Sequence, residues 1–255
     1  MCDSCGCSNE HYSIINFDQT KNNQIISHIL YENMHLHHEE KRIEVEQDVL
    51  YKNNLIAQKN RGYFDAKNVI TFNIVGSPGS GKTSILESFV NKYKDIKKIY
   101  VIEGDQHSNL DAERLKKYGI NVIQINTGTG CHLNAQMIYD AIKELKPDDN
   151  SLIFIENVGN LVCPSLFDLG ENYRILVLSI TEGEDKPLKY PYMFQSSHLC
   201  IINKIDLLPY LEIDVSLLRD NINKVNHHLD IIEISCKKDI NIDLLIKWIE
   251  NKIVK

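Results

Sequence analysis

Three of the first seven residues are cysteines: Cys2, Cys5 and Cys7. Thiols held that close together outside any core do chemistry, as metal ligands or redox groups, rather than packing. The chain has seven cysteines in all, an odd number, which fits metal binding better than a disulfide framework. Further along, "TGTGCHL" sets Cys131 beside His132, and "ENVGNLVCPS" sets Cys163 shortly after Glu156. Loops that leave the C-terminal ends of parallel strands can converge, and two thiolates with an imidazole suit Zn²⁺ or Ni²⁺, the fourth position being open or filled across a dimer. Two structural cysteines and a surface histidine are the alternative. His35, His37 and His38 in "MHLHHEEK" form a short metal tract or a solvated helix, and Cys200 inside "HLCIIN" reads as core.

A second chemistry is phosphate binding. Gly76, Ser77, Pro78, Gly79, Ser80, Gly81, Lys82 and Thr83 satisfy G-x-x-x-x-G-K-[ST], follow the strand-like "VITFNIV" and lead, with Ser84, into a helical stretch. Glycines allow backbone N–H groups to turn inward as a nest, Lys82 supplies a point charge to the β and γ phosphates, and the Thr83 hydroxyl is placed for Mg²⁺. Asn203-Lys204-Ile205-Asp206 is an N-K-x-D pattern. A carboxylate there accepts both guanine edge donors, whereas adenine would leave it buried and unpaired, so the nucleotide is GTP or GDP. Ser235, Cys236 and Lys237 occupy the place of a loop that backs the base. Asp105, in "VIEGDQ", and Glu156, in a Glu156-x-x-Gly159 pattern, are candidates to handle Mg²⁺ and the attacking water. Lys82, Asp105 and Glu156 are thus the catalytic candidates. No glutamine stands out to orient the water and no arginine to finish the site, so slow hydrolysis and a switch role are expected.

Those residues must be carried by a sheet. From Val69 onward, apolar runs appear at "VITFNIV", "KIYVIE", "NVIQI", "SLIFIE", "RILVLSI", "HLCIIN" and "DIIEI", with helical spacing over 83–95, 109–117 and 133–146. Near-continuous apolar strands alternating with helices predict an α/β fold of the P-loop NTPase type, a mostly parallel sheet of about seven strands covered on both faces. Residues 1–10 are expected to be a flexible metal-binding motif, 11–66 a helical extension and 67–255 the GTPase domain. In the extension, Val45, Val49, Leu50, Leu55 and Ile56 are expected to share the buried helix face. A net charge of −7 without a basic stripe excludes nucleic acid as the main partner. No apolar stretch reaches the roughly 18 residues of a membrane span, and no signal peptide is visible, so a cytoplasmic protein without membrane association is expected.

Taken in order, "MCDSCGC", "GSPGSGKTS", "TGTGCHL", "ENVGNLVCP", "TEGEDKPLKYP" and "NKIDLLPY" resemble the HypB family, the hydrogenase nickel-incorporation GTPases, over nearly the whole chain. The resemblance implies a homodimer formed on GTP binding, nickel delivery to the large subunit of [NiFe]-hydrogenase and a HypA-type nickel chaperone as partner. It implies that Cys131, His132 and Cys163 ligate metal near the dimer interface, and that Cys2, Cys5 and Cys7 form a nickel site. It also implies that Lys186 reaches the nucleotide region from the partner subunit. Three thiolates joined by the N-terminal amine suit planar Ni²⁺. The short "HLHH" departs from relatives with long His-rich storage tracts. A nickel or zinc buffering protein, and a GTPase serving urease maturation, are the alternatives; the absence of Pro between Cys131 and His132 favours the hydrogenase assignment.

Overall fold

The computed structural model describes residues 47–105 and 110–253. Contacts divide the chain into Met1–Lys52 and Asn53–Lys255. Of the first, residues 47–52 are described and are helical; the second holds the sheet and the helices that cover it.

Each of the seven apolar runs forms a strand: β1 Ile70–Gly76, β2 Ile99–Asp105, β3 Asn121–Asn126, β4 Leu152–Glu156, β5 Tyr173–Ser179, β6 Leu199–Asn203 and β7 Asp230–Glu233. They make one seven-stranded sheet in the order β3-β2-β4-β1-β5-β6-β7. Every pairing is parallel. Parallel strands need crossovers, and covering both faces explains why the strands read as continuous apolar runs rather than alternating ones.

The helices are α1 over residues 47–66, α2 Lys82–Tyr93, α3 Leu110–Lys116, α4 Ala135–Leu145, α5 Cys163–Leu166, α6 Lys186–Lys189, α7 Pro191–Gln195, α8 Val215–Val225 and α9 Ile242–Ile253. One sheet face, with Phe72, Ile74, Val101, Phe154 and Val177, packs on α2 and α9 through Leu86, Phe89, Leu245 and Trp248. On the other face, Ile102, Ile153 and Ile155 pack on α1 and α4 through Phe64, Ile138 and Ala141. Leu176, Leu178, Cys200 and Ile202 pack on α7 and α8 through Phe194, Leu218 and Ile222. Cys200 is core, as its sequence neighbours implied.

Besides end shifts of one or two residues in α2 (83–95 expected, Lys82–Tyr93 found) and α3 (109–117 expected, Leu110–Lys116 found), two elements differ from expectation for reasons visible in the structure. α4 starts at Ala135 rather than 133 because the backbone N–H of Leu133 goes to the Asn157 carboxamide at 3.0 Å and Asn134, extended at φ −118°, caps the helix by accepting from Met137 N. In α1 the buried residues are Asn53, Ala57, Asn60 and Phe64, whereas Val49 and Leu55 are exposed. Beneath Asn53 and Asn60 the surface under α1 presents backbone groups, while Phe64 packs on side chains of the core. Asn53 donates to Asp168 O and accepts from Ala135 N, both at 2.8 Å, while Asn60 donates to Ala135 O at 2.9 Å and Leu169 O at 3.0 Å. Carboxamides meet that demand and leucines do not. Val45 lies outside the described residues.

Candidate nucleotide and metal sites

The loop after β1 ends at Gly81, and α2 begins there without a side-chain cap. First-turn N–H groups left without side-chain acceptors make a phosphate site. Gly81 sits at φ +102°, and a Cβ on it would lie 2.3 Å from Asn203 Nδ2. Asn203 itself donates to Ser80 O at 3.0 Å, and Lys204 Nζ donates to Gly79 O at 2.6 Å. Two members of the N-K-x-D stretch at the end of β6 therefore clamp the phosphate loop from above. Lys82 Nζ donates to Gly76 O at 3.3 Å and Ser77 O at 3.2 Å, folded back over the loop. Its pKa is lowered by burial, against the pull of Glu156 and Glu182. Ser77 Oγ donates to Glu182 Oε2 at 2.5 Å, and Glu182 also caps Ser179 N at 2.9 Å. The "TEGEDKP" stretch is thus seated against the phosphate loop, with Lys186 Nζ 3.8 Å from Glu182.

A cleft of about 480 Å³ opens here, lined by Pro78, Gly79, Gly81, Lys82, Thr83, Ser84, Glu103, Asp105, Asp111, Arg114, Glu156, Asn157, Gly159 and Lys204. Gly159 lies flat on the loop, since a Cβ there would be 3.0 Å from Pro78. Thr83 Oγ1 donates to Glu156 Oε1 at 2.7 Å. Burial pushes Glu156 up to about 7, with the Thr83 hydrogen bond opposing. Beside it in parallel register stands Glu103, a residue that sequence reasoning passed over. Burial and then the Glu156 charge push Glu103 up to about 8. Each carboxylate keeps one buried oxygen, Oε2, without a hydrogen-bond partner. Two such oxygens beside a threonine hydroxyl fit a hard divalent cation. The signal was available: a carboxylate inside the apolar run "KIYVIE" is out of place unless it does something. Arg114, ion-paired to Glu87 and Asp111, also lines the cleft and was passed over.

The base-side residues lie apart from this cleft. Ser235 Oγ donates to Asp206 Oδ1 at 2.5 Å, aiming the carboxylate. Cys236 and Lys237 line a second cleft of about 450 Å³ together with Ser84, Ser88 and Tyr118. The structure thus groups Gly76 to Ser84, Asp105, Glu156, Gly159 and Lys204 at the phosphate end. Asp206, Ser235, Cys236 and Lys237 gather at the other.

The loops carrying Cys131, His132 and Cys163 converge. Their ligand atoms all lie within 4.8 Å of one another. Cys131 Sγ is 2.8 Å from Cys163 Sγ and 3.6 Å from His132 Nδ1. The His132 ring stacks on Phe167 with centroids 3.9 Å apart, and burial lowers its pKa. An imidazole oriented by the ring stack and set beside two sulfurs is a donor set for a borderline or soft cation. Cys2, Cys5, Cys7 and the His35, His37 and His38 tract lie outside the described residues.

A family pattern described as "CobW/HypB/UreG, nucleotide-binding domain" matches residues 70–233. The hydrogenase maturation factor HypB of Escherichia coli K12 is 51% identical over 210 residues, covering 82% of this chain and 72% of that protein. The crystal structure of hydrogenase maturation factor HypB from Archaeoglobus fulgidus superimposes with a TM-score of 0.75 at 37% identity, covering 80% of this chain and 99% of that one. The structure of HypB from Helicobacter pylori in complex with nickel gives 0.73 at 38% identity, covering 79% and 95%.

Proposed function

Because this chain belongs to the CobW/HypB/UreG family, among its HypB hydrogenase maturation factors, we propose that it hydrolyses GTP to GDP and phosphate and uses that cycle to gate nickel transfer during [NiFe]-hydrogenase maturation. The observation that carries the reading is the stretch from Glu156 to Cys163. It begins on the carboxylate that holds Thr83 and ends on a ligand of the Cys131–His132–Cys163 cluster.

Each residue has a part. The Gly76–Thr83 loop and the α2 N-terminus hold the phosphates, with Lys82 released from its loop carbonyls onto the β and γ oxygens. Asp206, oriented by Ser235, reads guanine, and Cys236 and Lys237 back it. Thr83, Glu156 and Glu103 would hold Mg²⁺, which when bound neutralises charge on the β and γ phosphates. Asp105 and Asp111 line the same cleft and set its acidity. Slow intrinsic turnover follows from the absence, among the described cleft residues, of a glutamine to orient water. Nickel is cargo on Cys131, His132 and Cys163, and Zn²⁺ suits the same donors. Cys2, Cys5 and Cys7 form a second nickel site. GTP-bound copies pair as a homodimer, with Lys186 reaching across, and a HypA-type chaperone and the hydrogenase large subunit stand before and after this protein in the transfer. No helix among the described residues is long and apolar enough to cross a membrane.

The test is titration of the chain with Ni²⁺ and Zn²⁺, free of nucleotide, with GDP and with a non-hydrolysable GTP analogue, in parent and Cys131→Ala proteins. The reading expects one fewer metal equivalent in the variant, unchanged GTP affinity, and parent metal affinity that depends on the nucleotide. Equal metal affinity in all nucleotide states would leave a metal-buffering protein.

A further inference from the structure

Gating of nickel by nucleotide needs a physical link between the cleft and the cluster, and a coupling residue has meaning only if that proposed function holds. Asn157 comes directly after Glu156 and is 1% exposed. Its backbone N–H is tied to Ile74 O of β1 at 2.9 Å. Its carboxamide oxygen accepts the N–H groups of Leu133 and Val158, each at 3.0 Å, and its Nδ2 donates to Asn73 Oδ1 at 3.3 Å. Leu133 is the residue after His132. One side chain therefore joins the strand end that holds Thr83 to the loop that holds the cluster histidine.

The chain of buried polar contacts continues around the cluster. Asn73 Nδ2 donates to Glu171 Oε1 at 3.0 Å. Arg174 donates to the same oxygen through Nε at 3.0 Å and Nη2 at 2.7 Å. The guanidinium then holds two carbonyls downstream of Cys163, Ser165 O at 3.3 Å and Phe167 O at 3.0 Å. The Phe167 ring is the one stacked on His132. On the opposite side, Asn160 bridges to Gly76 of the phosphate loop and its Nδ2 lies 3.5 Å from Cys131 O.

A buried polar network with its hydrogen bonds made is stiff, because breaking any one strands a desolvated partner. Stiffness turns a small shift at one end into a shift at the other. Triphosphate loading must rearrange the Thr83–Glu156 hydrogen bond, since both groups line the phosphate cleft. We propose that Asn157 is a positioning residue that couples nucleotide state to metal affinity. A shift of Glu156 moves its carboxamide, the carboxamide moves the Leu133 N–H, and the His132 imidazole changes its alignment with Cys131 and Cys163. Asn157 lines the phosphate cleft, and in this role it acts through its hydrogen bonds to Leu133 and Val158, not as a ligand of the metal.

The experiment uses the full chain carrying Cys2→Ser, Cys5→Ser and Cys7→Ser together with His35→Ala, His37→Ala and His38→Ala, so that Ni²⁺ titrates the inner cluster without the N-terminal cysteines or the histidine tract. Calorimetry gives the Ni²⁺ affinity with GDP and with guanosine imidotriphosphate. In that background the two affinities should differ by at least about fivefold, the lower end of ordinary site-to-site coupling. Asn157→Ala should bring the ratio to within about twofold of one while GDP still binds. Asn157→Asp keeps both acceptor bonds, to Leu133 and Val158, and gives up only the donation to Asn73; it should retain the ratio because the coupling runs through the Leu133 N–H, and a structural role alone would not separate these variants in this way. Retention of the ratio in Asn157→Ala, or its loss in Asn157→Asp, overturns the inference and leaves gating intact. A ratio of one in the background removes gating itself, and the inference with it. If Asn157→Ala does not fold, amide exchange at Leu133 in the background protein decides. Its protection should change at least about fivefold between the two nucleotide states, and equal protection overturns the coupling.

Discussion

At the scale of single residues, the proposed choice of guanine rests on one carboxylate. Ser235 fixes Asp206 by donating to Oδ1, which leaves acceptor capacity for the two guanine donors. Asp206→Asn puts an NH₂ where an acceptor was needed and suits xanthine, whose C2 carries oxygen. Preference for GTP over xanthosine triphosphate should fall by about 100-fold or more, read by competition binding; undiminished preference would remove Asp206 from base recognition. Cys236 gives a pH prediction. Burial pushes its thiol up to about 11, with Ser88 opposing and Asp206 and Asp239 adding to the rise. A raised thiol pKa means less thiolate at any given lower pH. In nucleotide-free protein at pH 8, alkylation of Cys236 should run on the order of 100-fold slower than in the denatured chain, and should speed up about tenfold per pH unit. Peptide mass spectrometry measures it, and a rate equal to that of the denatured chain would contradict the half-buried placement.

The element whose role was least expected is α1. It is held by asparagines that satisfy backbone groups at the start of α4 and in the 168–170 loop. Arg61 adds an ion pair to Asp168 at 2.9 Å, and Gly170, at φ +89°, lets the chain pass within a Cβ's reach of Ala57 O. α1 is therefore fastened to the segment directly after the cluster histidine. Asn60→Ala removes the buried donor to Ala135 O and Leu169 O and should cost about 2–3 kcal/mol, lowering the melting temperature by roughly 5–10 °C. Leu55→Ala on the exposed face should stay within about 0.5 kcal/mol. Thermal unfolding of the two variants side by side tests the assignment of faces, and a larger loss at Leu55 would reverse it.

At the scale of the whole molecule, the proposed dimer needs a face. Val162 and Leu166 flank Cys163 on α5, and Leu188 and Tyr192 lie on α6 and α7; all four are exposed. α5 packs on α7, so Val162, Leu166 and Tyr192 lie on adjoining elements at the Cys163 end of the site. Exposed apolar side chains beside a three-ligand site suit a second copy supplying the rest of the shell. Sedimentation with a GTP analogue should show a monomer-to-dimer shift in the parent. The shift should vanish in Lys82→Ala, which loses the phosphate anchor, and weaken at least about tenfold in Leu166→Glu, which buries a charge at the contact. A full shift in Leu166→Glu would place the interface elsewhere.

Much of this was legible in the chain itself. The phosphate loop, the N-K-x-D stretch and the seven strands are contiguous strings whose geometry is set by local forces: glycine φ freedom, hydrophobic period and helix-end N–H groups. Glu103 beside Glu156, Asn157 on Leu133, Glu182 on Ser77 and the asparagine face of α1 were settled by the fold. Each joins residues far apart in sequence through strand register or a buried polar group that must find a partner, and neither constraint leaves a periodic mark. The residue types alone pointed to a nucleotide-binding P-loop domain that also offers soft ligands. That Cys131, His132 and Cys163 meet within 4.8 Å, wired to the phosphate cleft, was decided by the parallel sheet, which brings the C-terminal ends of its strands to one edge.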